Sequence, residues 1–181
     1  ELSINESNRV MNLALQLKDF TVPHQVPITI KLHDAIDDML MLKQNEFRKE
    51  NIQLTKEYSD CLPDVNVVED QIKQGYIKPF AKANEACPRG GSLTIRTRAL
   101  DSVVEVEIED SGHGIQQEYM EKLFAPFFTT KGEVKGTGLG LSVSYGIIKD
   151  MGWDITVRST EGEGSKFIIT LPVKANIEEP T

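Results

Sequence analysis

Apolar residues along this chain first recur at helical spacing and then switch to a period of two. Between Asn5 and Phe20 they stand at Val10, Leu13, Leu17 and Phe20, the three-and-four spacing of one helix face. The stretch Val22–Pro27, with prolines at both 23 and 27, breaks that pattern. Leu32 to Asn51 predicts a helix carrying Ala35, Met39, Leu42 and Phe47 roughly on one side. Ile52 to Tyr58 alternates as a strand does, and Val65 to Val68 is a short apolar run followed by a helix to Ala86. Ser92–Arg98 and Val103–Glu109 predict a hairpin around Leu100, Asp101 and Ser102, with arginines on one strand opposing glutamates on the other across the wet face. Gln116–Leu123 predicts a short helix, 124–137 a loop and 138–151 a helix. Two strands follow, Asp154–Ser159 and Ser165–Leu171, joined by Glu161–Gly164. Helices grouped with a mixed, mainly antiparallel sheet predict a two-layer α/β sandwich with the helices on one face.

Three segments stand out chemically. Asp110-Ser-Gly-His-Gly114 closes a strand of alternating valines, which puts a carboxylate at the edge of the sheet, where burial is costly without hydrogen-bond donors. Phe124-Ala-Pro-Phe-Phe128 opens a long loop rich in aromatic residues, a composition suited to a lid in which Phe124 and Phe127 anchor to the core. Lys122, Thr130, Lys131 and Lys135 flank or lie in that loop within reach of phosphates. Gly136-Thr-Gly-Leu-Gly-Leu141 leads into an apolar run, so a helix opening there would aim its first N–H groups and positive dipole end at a phosphate. A lone glycine pair is a tight turn as readily as a ligand site; three such boxes in order point to a nucleotide pocket.

The three boxes resemble the first glycine box, the phenylalanine box and the second glycine box of sensor histidine kinases. The similarity continues through Ser142–Lys149 and Gly162–Phe167, covers about residues 25 to 173 and is specific over 103 to 172. It implies the Bergerat ATP-binding fold, shared with DNA gyrase, the large heat-shock chaperones and mismatch-repair ATPases. By resemblance, the Asp110 carboxylate accepts from the exocyclic amino group of adenine, with Gly112, Gly114 and Ile115 shaping the turn around the ring. The alternative role for Asp110 is to cap the helix near Gln116 or to stabilise the turn. Lys122, Phe127, Thr130 and Lys131 then belong to the lid, and Gly136, Thr137, Gly138, Leu139, Gly140 and Leu141 to the phosphate cradle. ATP is the implied cofactor, with Mg²⁺ as in the family. The implied partners are a phosphoacceptor histidine helix outside this chain and a response regulator. Residues 1–22 match the end of a dimerisation helix and its linker, which implies either a homodimer through residues 1–20 or simple docking of that helix onto the domain, the two readings weighing equally. Residues 174–181 read as a flexible tail.

The chain departs from the family in the asparagine box. Alignment places its two asparagines at Lys78 and Lys82, and only Glu85 keeps the usual acidic character. A charged lysine has no lone pair to give Mg²⁺. Gly75 and Pro79 further interrupt that helix. Weak or metal-independent nucleotide binding, with Lys82 pairing directly with phosphate, is one consequence; a pseudokinase or interaction module is another. Lys78 also stands where the gyrase-like ATPases carry their general-base glutamate, which argues against hydrolysis. His24, His33 and His113 do not match the phosphoacceptor pattern: His33 reads as a surface histidine near a helix start and His113 as a solvent-facing loop residue.

Bulk properties narrow the remaining choices. The 181 residues suffice for one good core. Twenty basic against 28 acidic residues give a formal charge of −8, which disfavours nucleic acid as a partner. No apolar run approaches the roughly 20 residues needed to span a bilayer, and no signal peptide is visible. Cys61 and Cys87 lack metal-ligand spacing and read as reduced thiols of a cytoplasmic protein, possible also for the cytoplasmic part of a membrane-bound sensor.

Overall fold

The computed structural model describes residues 28–67, 87, 90–130 and 138–173. The helix expected over residues 5–20, the one preceding Ala86 and the tail 174–181 lie outside the described residues.

Five strands form the main sheet: β2 (Ile52–Glu57), β4 (Gly91–Leu100), β5 (Val103–Asp110), β6 (Asp154–Thr160) and β7 (Gly164–Pro172), in the order β2-β4-β5-β7-β6. Only β2 and β4 pair in parallel; the other three pairings are antiparallel. A separate two-stranded ladder joins β1 (Ile28–Ile30) to β3 (Val65–Val67). Three helices are described: α1 (Leu32–Lys49), the one-turn α2 (Gln117–Met120) and α3 (Gly140–Asp150). Leu93 and Ile95 of β4, Val104, Val106 and Ile108 of β5, and Phe167, Ile169 and Leu171 of β7 share one buried face. Against them lie Leu32, Ile36, Met39, Leu40 and Phe47 of α1 with Leu141 and Ile148 of α3. Each fully buried aliphatic side chain in this layer contributes about 1.5–3 kcal/mol. The two-layer α/β architecture follows from this single-sided burial.

Four details differ from the sequence reading. Leu42 is not on the buried face of α1 but is 70% exposed, because the stripe through residues 32, 36, 39, 40 and 47 leaves position 42 more than a quarter turn away. His33 is not a free surface histidine. Its ring stacks on Tyr58 at 4.3 Å and its Nε2 lies 2.9 Å from Thr97 Oγ1, since the start of α1 docks over β2 and β4. The helix expected to reach Leu123 stops at Met120 and continues as i→i−3 turns, Lys122 N donating to Tyr119 O and Ala125 N to Lys122 O. Helix α3 begins at Gly140 rather than at 138, because Gly138 has φ +67° and cannot belong to a right-handed helix.

The opposed charges of the β4–β5 hairpin are present, but their face is less wet than the alternation implied. Arg96 Nε is 2.6 Å from Glu57 on β2, and its guanidinium also binds Glu109. Arg98 lies 2.9 Å and Lys166 3.2 Å from Glu107. These long side chains roof the Glu107 carboxylate, leaving the residue 5% exposed.

Candidate functional site

Strand β5 carries its buried alternation, Val104, Val106 and Ile108, one step further to Asp110. The carboxylate therefore arrives on the core side of the sheet, 4% exposed, where water solvates it poorly. Burial raises its pKa above the usual aspartate value, against the hydrogen bonds from the Gly112 and Ser165 backbone and the nearby His113, which act the other way. Gly112 N donates to Oδ1 at 2.9 Å. The contact is a turn of the Asx kind, so the turn-stabilising role is real. It is not the whole account, since a carboxylate has about four acceptor sites and a turn uses one.

The loop that leaves Asp110 is seated on the β6–β7 hairpin. Gly114 has φ +68°, and a Cβ there would come within 2.0 Å of the Thr160 carbonyl oxygen. Gly164 has φ +120°, and a Cβ there would meet the Asp110 carbonyl oxygen at the same 2.0 Å. Both positions require glycine for close backbone approach as well as for conformation. Gly162 N donates to His113 O at 2.8 Å, Ile115 N to Ser159 Oγ at 2.8 Å, and Gln116 Nε2 to Glu161 Oε1 at 2.7 Å. On the other side Ser111 bonds Ser92 twice, N to O at 3.0 Å and Oγ from Ser92 N at 2.8 Å. Buried Cys87 rests against Ser111, and burial together with the Asp110 charge pushes its thiol pKa up. His113 is exposed, as expected.

The phenylalanine segment behaves differently at its two ends. Phe124 anchors to the core, its ring 4.9 Å from that of Tyr145 on α3. Phe127 does not: it is 56% exposed and has φ +66°, a left-handed turn that swings its ring away from the core. Its backbone instead abuts Gly138, where a Cβ would lie 2.3 Å from the Phe127 carbonyl carbon. The two boxes therefore meet backbone to backbone. Lys122 and Thr130 are exposed on this segment. Leu139 precedes α3 and accepts from Val143 N at 2.9 Å; Gly140 opens the helix, and Leu141 is buried beneath it. Lys131, Gly136 and Thr137 lie outside the described residues, as do Lys78, Lys82 and Glu85.

Sequence reasoning singled out Asp110 and the glycines but passed over Ser111, Ser159 and Ser165. Their signal was weak, because a serine in a strand has no meaning until the register is known. The register sets Ser165 opposite both Asp110 and Ser159.

A buried carboxylate with spare acceptor capacity fits the amino group of an adenine. Lys78 and Lys82, at the positions expected to supply Mg²⁺ ligands, lie outside the described residues; a charged lysine side chain has no lone pair to offer a cation. Among the described residues no group of three His, Cys, Asp or Glu side chains could hold a metal ion. No described helix is long and apolar enough to cross a membrane.

Comparison with known proteins agrees with this geometry. Residues 68–175 match the model of the family described as histidine kinase-, DNA gyrase B- and HSP90-like ATPase. Sporulation kinase E of Bacillus subtilis (strain 168) is 37% identical over 153 residues, which are 84% of this chain and 20% of that protein. The chain spans about two fifths or less of the length of the curated relatives it matches here, down to 12%. Among solved structures, the catalytic domain of histidine kinase ThkA superposes with a TM-score of 0.73 at 32% identity, covering 82% of this chain and 96% of that one. ThkA in complex with the response regulator protein TrrA gives a TM-score of 0.75 at 28% identity, covering 93% of this chain and 48% of that one. With the matched family spanning most of the described sheet and a sensor-kinase catalytic domain sharing its fold, the chain belongs to the histidine kinase-, gyrase B- and HSP90-like ATPases and is similar to the catalytic domains of sensor histidine kinases.

Proposed function

We propose that this chain is the ATP-binding catalytic unit of a two-component sensor kinase and presents the ATP γ-phosphate to a histidine outside the chain. The observation that carries the proposal is the buried Asp110 carboxylate, held by the Gly112 N–H in a loop that two glycines lock onto the β6–β7 hairpin. Asp110, Gly112, Gly114 and Ile115 would enclose the base. Gly136 to Leu141 would receive the phosphates at the start of α3. Phe127, Lys122, Thr130 and Lys131 would form or steady the lid. Catalysis would rest on positioning and electrostatics. The phosphoacceptor helix and a response regulator are the partners this reading implies, with pairing through residues 1–20 and a cytoplasmic setting.

One observation favours a second reading. With Lys78 and Lys82 in the asparagine box, the pocket would bind nucleotide weakly or without metal and act as a pseudokinase or interaction module. Calorimetric titration with a non-hydrolysable ATP analogue, in Mg²⁺ and again in EDTA, separates the readings. Binding in both buffers supports direct lysine–phosphate pairing. Binding that needs Mg²⁺ means that other ligands replace the missing asparagines. No binding in either buffer sinks the nucleotide reading. Transfer of radiolabelled phosphate to an added phosphoacceptor domain would exclude the pseudokinase, whereas steady phosphate release without an acceptor would favour an ATPase.

A further inference from the structure

The register of the sheet lines up Asp110 of β5, Ser165 of β7 and Ser159 of β6 in one row. Residues directly opposite one another across a sheet share a face, so these three side chains stand together on the side that holds the buried Asp110 carboxylate. The hydrogen bonds of this row fix where its protons lie. Ser159 Oγ is 2.8 Å from the Gly164 carbonyl oxygen, which can only accept, so the single Ser159 hydroxyl proton is committed there. One Ser159 lone pair takes the Ile115 N–H at 2.8 Å. The remaining contact, 3.0 Å to Ser165 Oγ, leaves Ser159 only an acceptor role, so Ser165 must be the donor. With its proton spent on Ser159, Ser165 has nothing but lone pairs for any third group. Its backbone N–H meanwhile points at the Asp110 carboxylate.

We propose that Ser159 is a positioning residue that sets base specificity. By holding the Ser165 proton, it makes the Asp110–Ser165 end of the pocket an all-acceptor surface that selects a 6-amino purine over a 6-oxo purine. An amino group offers two N–H donors to such a surface. An oxo group offers none and sets lone pair against lone pair, the mismatch that polar sites reject most strongly. Without Ser159 the Ser165 hydroxyl is free to rotate and donate, and an oxo group gains a partner. The inference rests on the reading of Asp110 as the base-recognising carboxylate.

The test is calorimetric titration of the whole chain with ADP and with IDP, which differ at this position of the purine. It compares wild type, Ser159→Ala and Ser159→Thr, with a melting curve for each. Loss of the Ile115 contact weakens both nucleotides alike, so the ratio of the two dissociation constants isolates the proton effect. Wild type is expected to prefer ADP, Ser159→Ala to reduce that preference about tenfold, and Ser159→Thr, which keeps the hydroxyl, to retain it. A folded Ser159→Ala with an unchanged ratio overturns the inference, as does a Thr variant that loses the preference. Where Ser159→Ala does not fold, Ser165→Ala carries the test, and an unchanged ratio there overturns the inference equally. No ADP binding to wild type overturns the reading of Asp110 and the inference together; binding with a ratio indifferent to Ser159 overturns the inference alone.

Discussion

Asp110 shows what burying a carboxyl costs in stability. Its buried carboxyl has a folded-state pKa above the unfolded value of about 3.8. The folded chain therefore binds more protons than the unfolded chain between those two values, and stability contributed by this group declines as pH rises through that window. Ligand binding runs the opposite way, because only the ionised form offers acceptors on both oxygens. Nucleotide affinity is expected to fall on acidification before the ordinary aspartate range is reached, and titrations from neutral pH downward would reveal it. In Asp110→Asn the amide keeps an oxygen for Gly112 but turns an NH₂ toward donors. A loss of at least about tenfold in affinity is expected, with the melting temperature as the control for folding. At this scale the sequence was informative wherever a residue's own chemistry constrained it: Asp110 and Gly114 were legible, whereas Ser159 and Ser165 needed partners 44 and 55 residues away in the chain. Phe127 was misread as an anchor because aromaticity signals burial while a left-handed φ, which decides its direction, leaves no mark in composition.

Among the elements, the β4–β5 hairpin carries the largest electrostatic commitment. Arg96 bridges Glu57 and Glu109 and lies 3.9 Å from the roofed Glu107. Its hydrogen bonds to Glu57 and Glu109 raise the guanidinium pKa further, and Arg96 in turn lowers that of Glu109. A depressed carboxylate contributes stability above its unfolded pKa and loses it as pH falls through the folded value. Arg96→Met keeps the aliphatic cover but strands the buried carboxylate with fewer cations. A loss of about 2–3 kcal/mol is expected, read from urea unfolding at pH 7 and shrinking in acid as Glu109 protonates below the usual carboxylate range. The strands themselves were legible from alternation, and so was the opposition of arginine to glutamate. The depth of the Glu107 burial was not, because roofing by long side chains from neighbouring strands depends on sheet order. Helix α1 teaches the same lesson: its length followed from periodicity, but Leu42 was assigned to the wrong side because an 18-residue helix with apolar residues at 39 to 42 supports more than one face.

For the molecule as a whole, the described part of the candidate site depends on β5, β6 and β7 and on their two connecting loops, while Lys78 and Lys82 lie outside the described residues. On the proposed reading, base recognition and metal recognition would be separable by substitution. Restoring asparagine at positions 78 and 82 is expected to introduce Mg²⁺ dependence into analogue binding while leaving the ADP-to-IDP ratio as it is. Calorimetry of the double variant in Mg²⁺ and in EDTA would check both halves of that expectation. The fold class was readable from the succession of periods, yet the strand order was not, since no local pattern says that β7 enters between β5 and β6. That insertion has a kinetic consequence. The last described strand in the chain occupies an interior place in the sheet, with ladders on both sides. Its central position means that β5 waits for a partner some sixty residues downstream, a slow step of the kind long-range pairing imposes. A polypeptide emerging residue by residue cannot seat the Asp110 loop until Gly164 and Ser165 arrive, so on the proposed reading nucleotide recruitment would be a late checkpoint of folding rather than a nucleus for it.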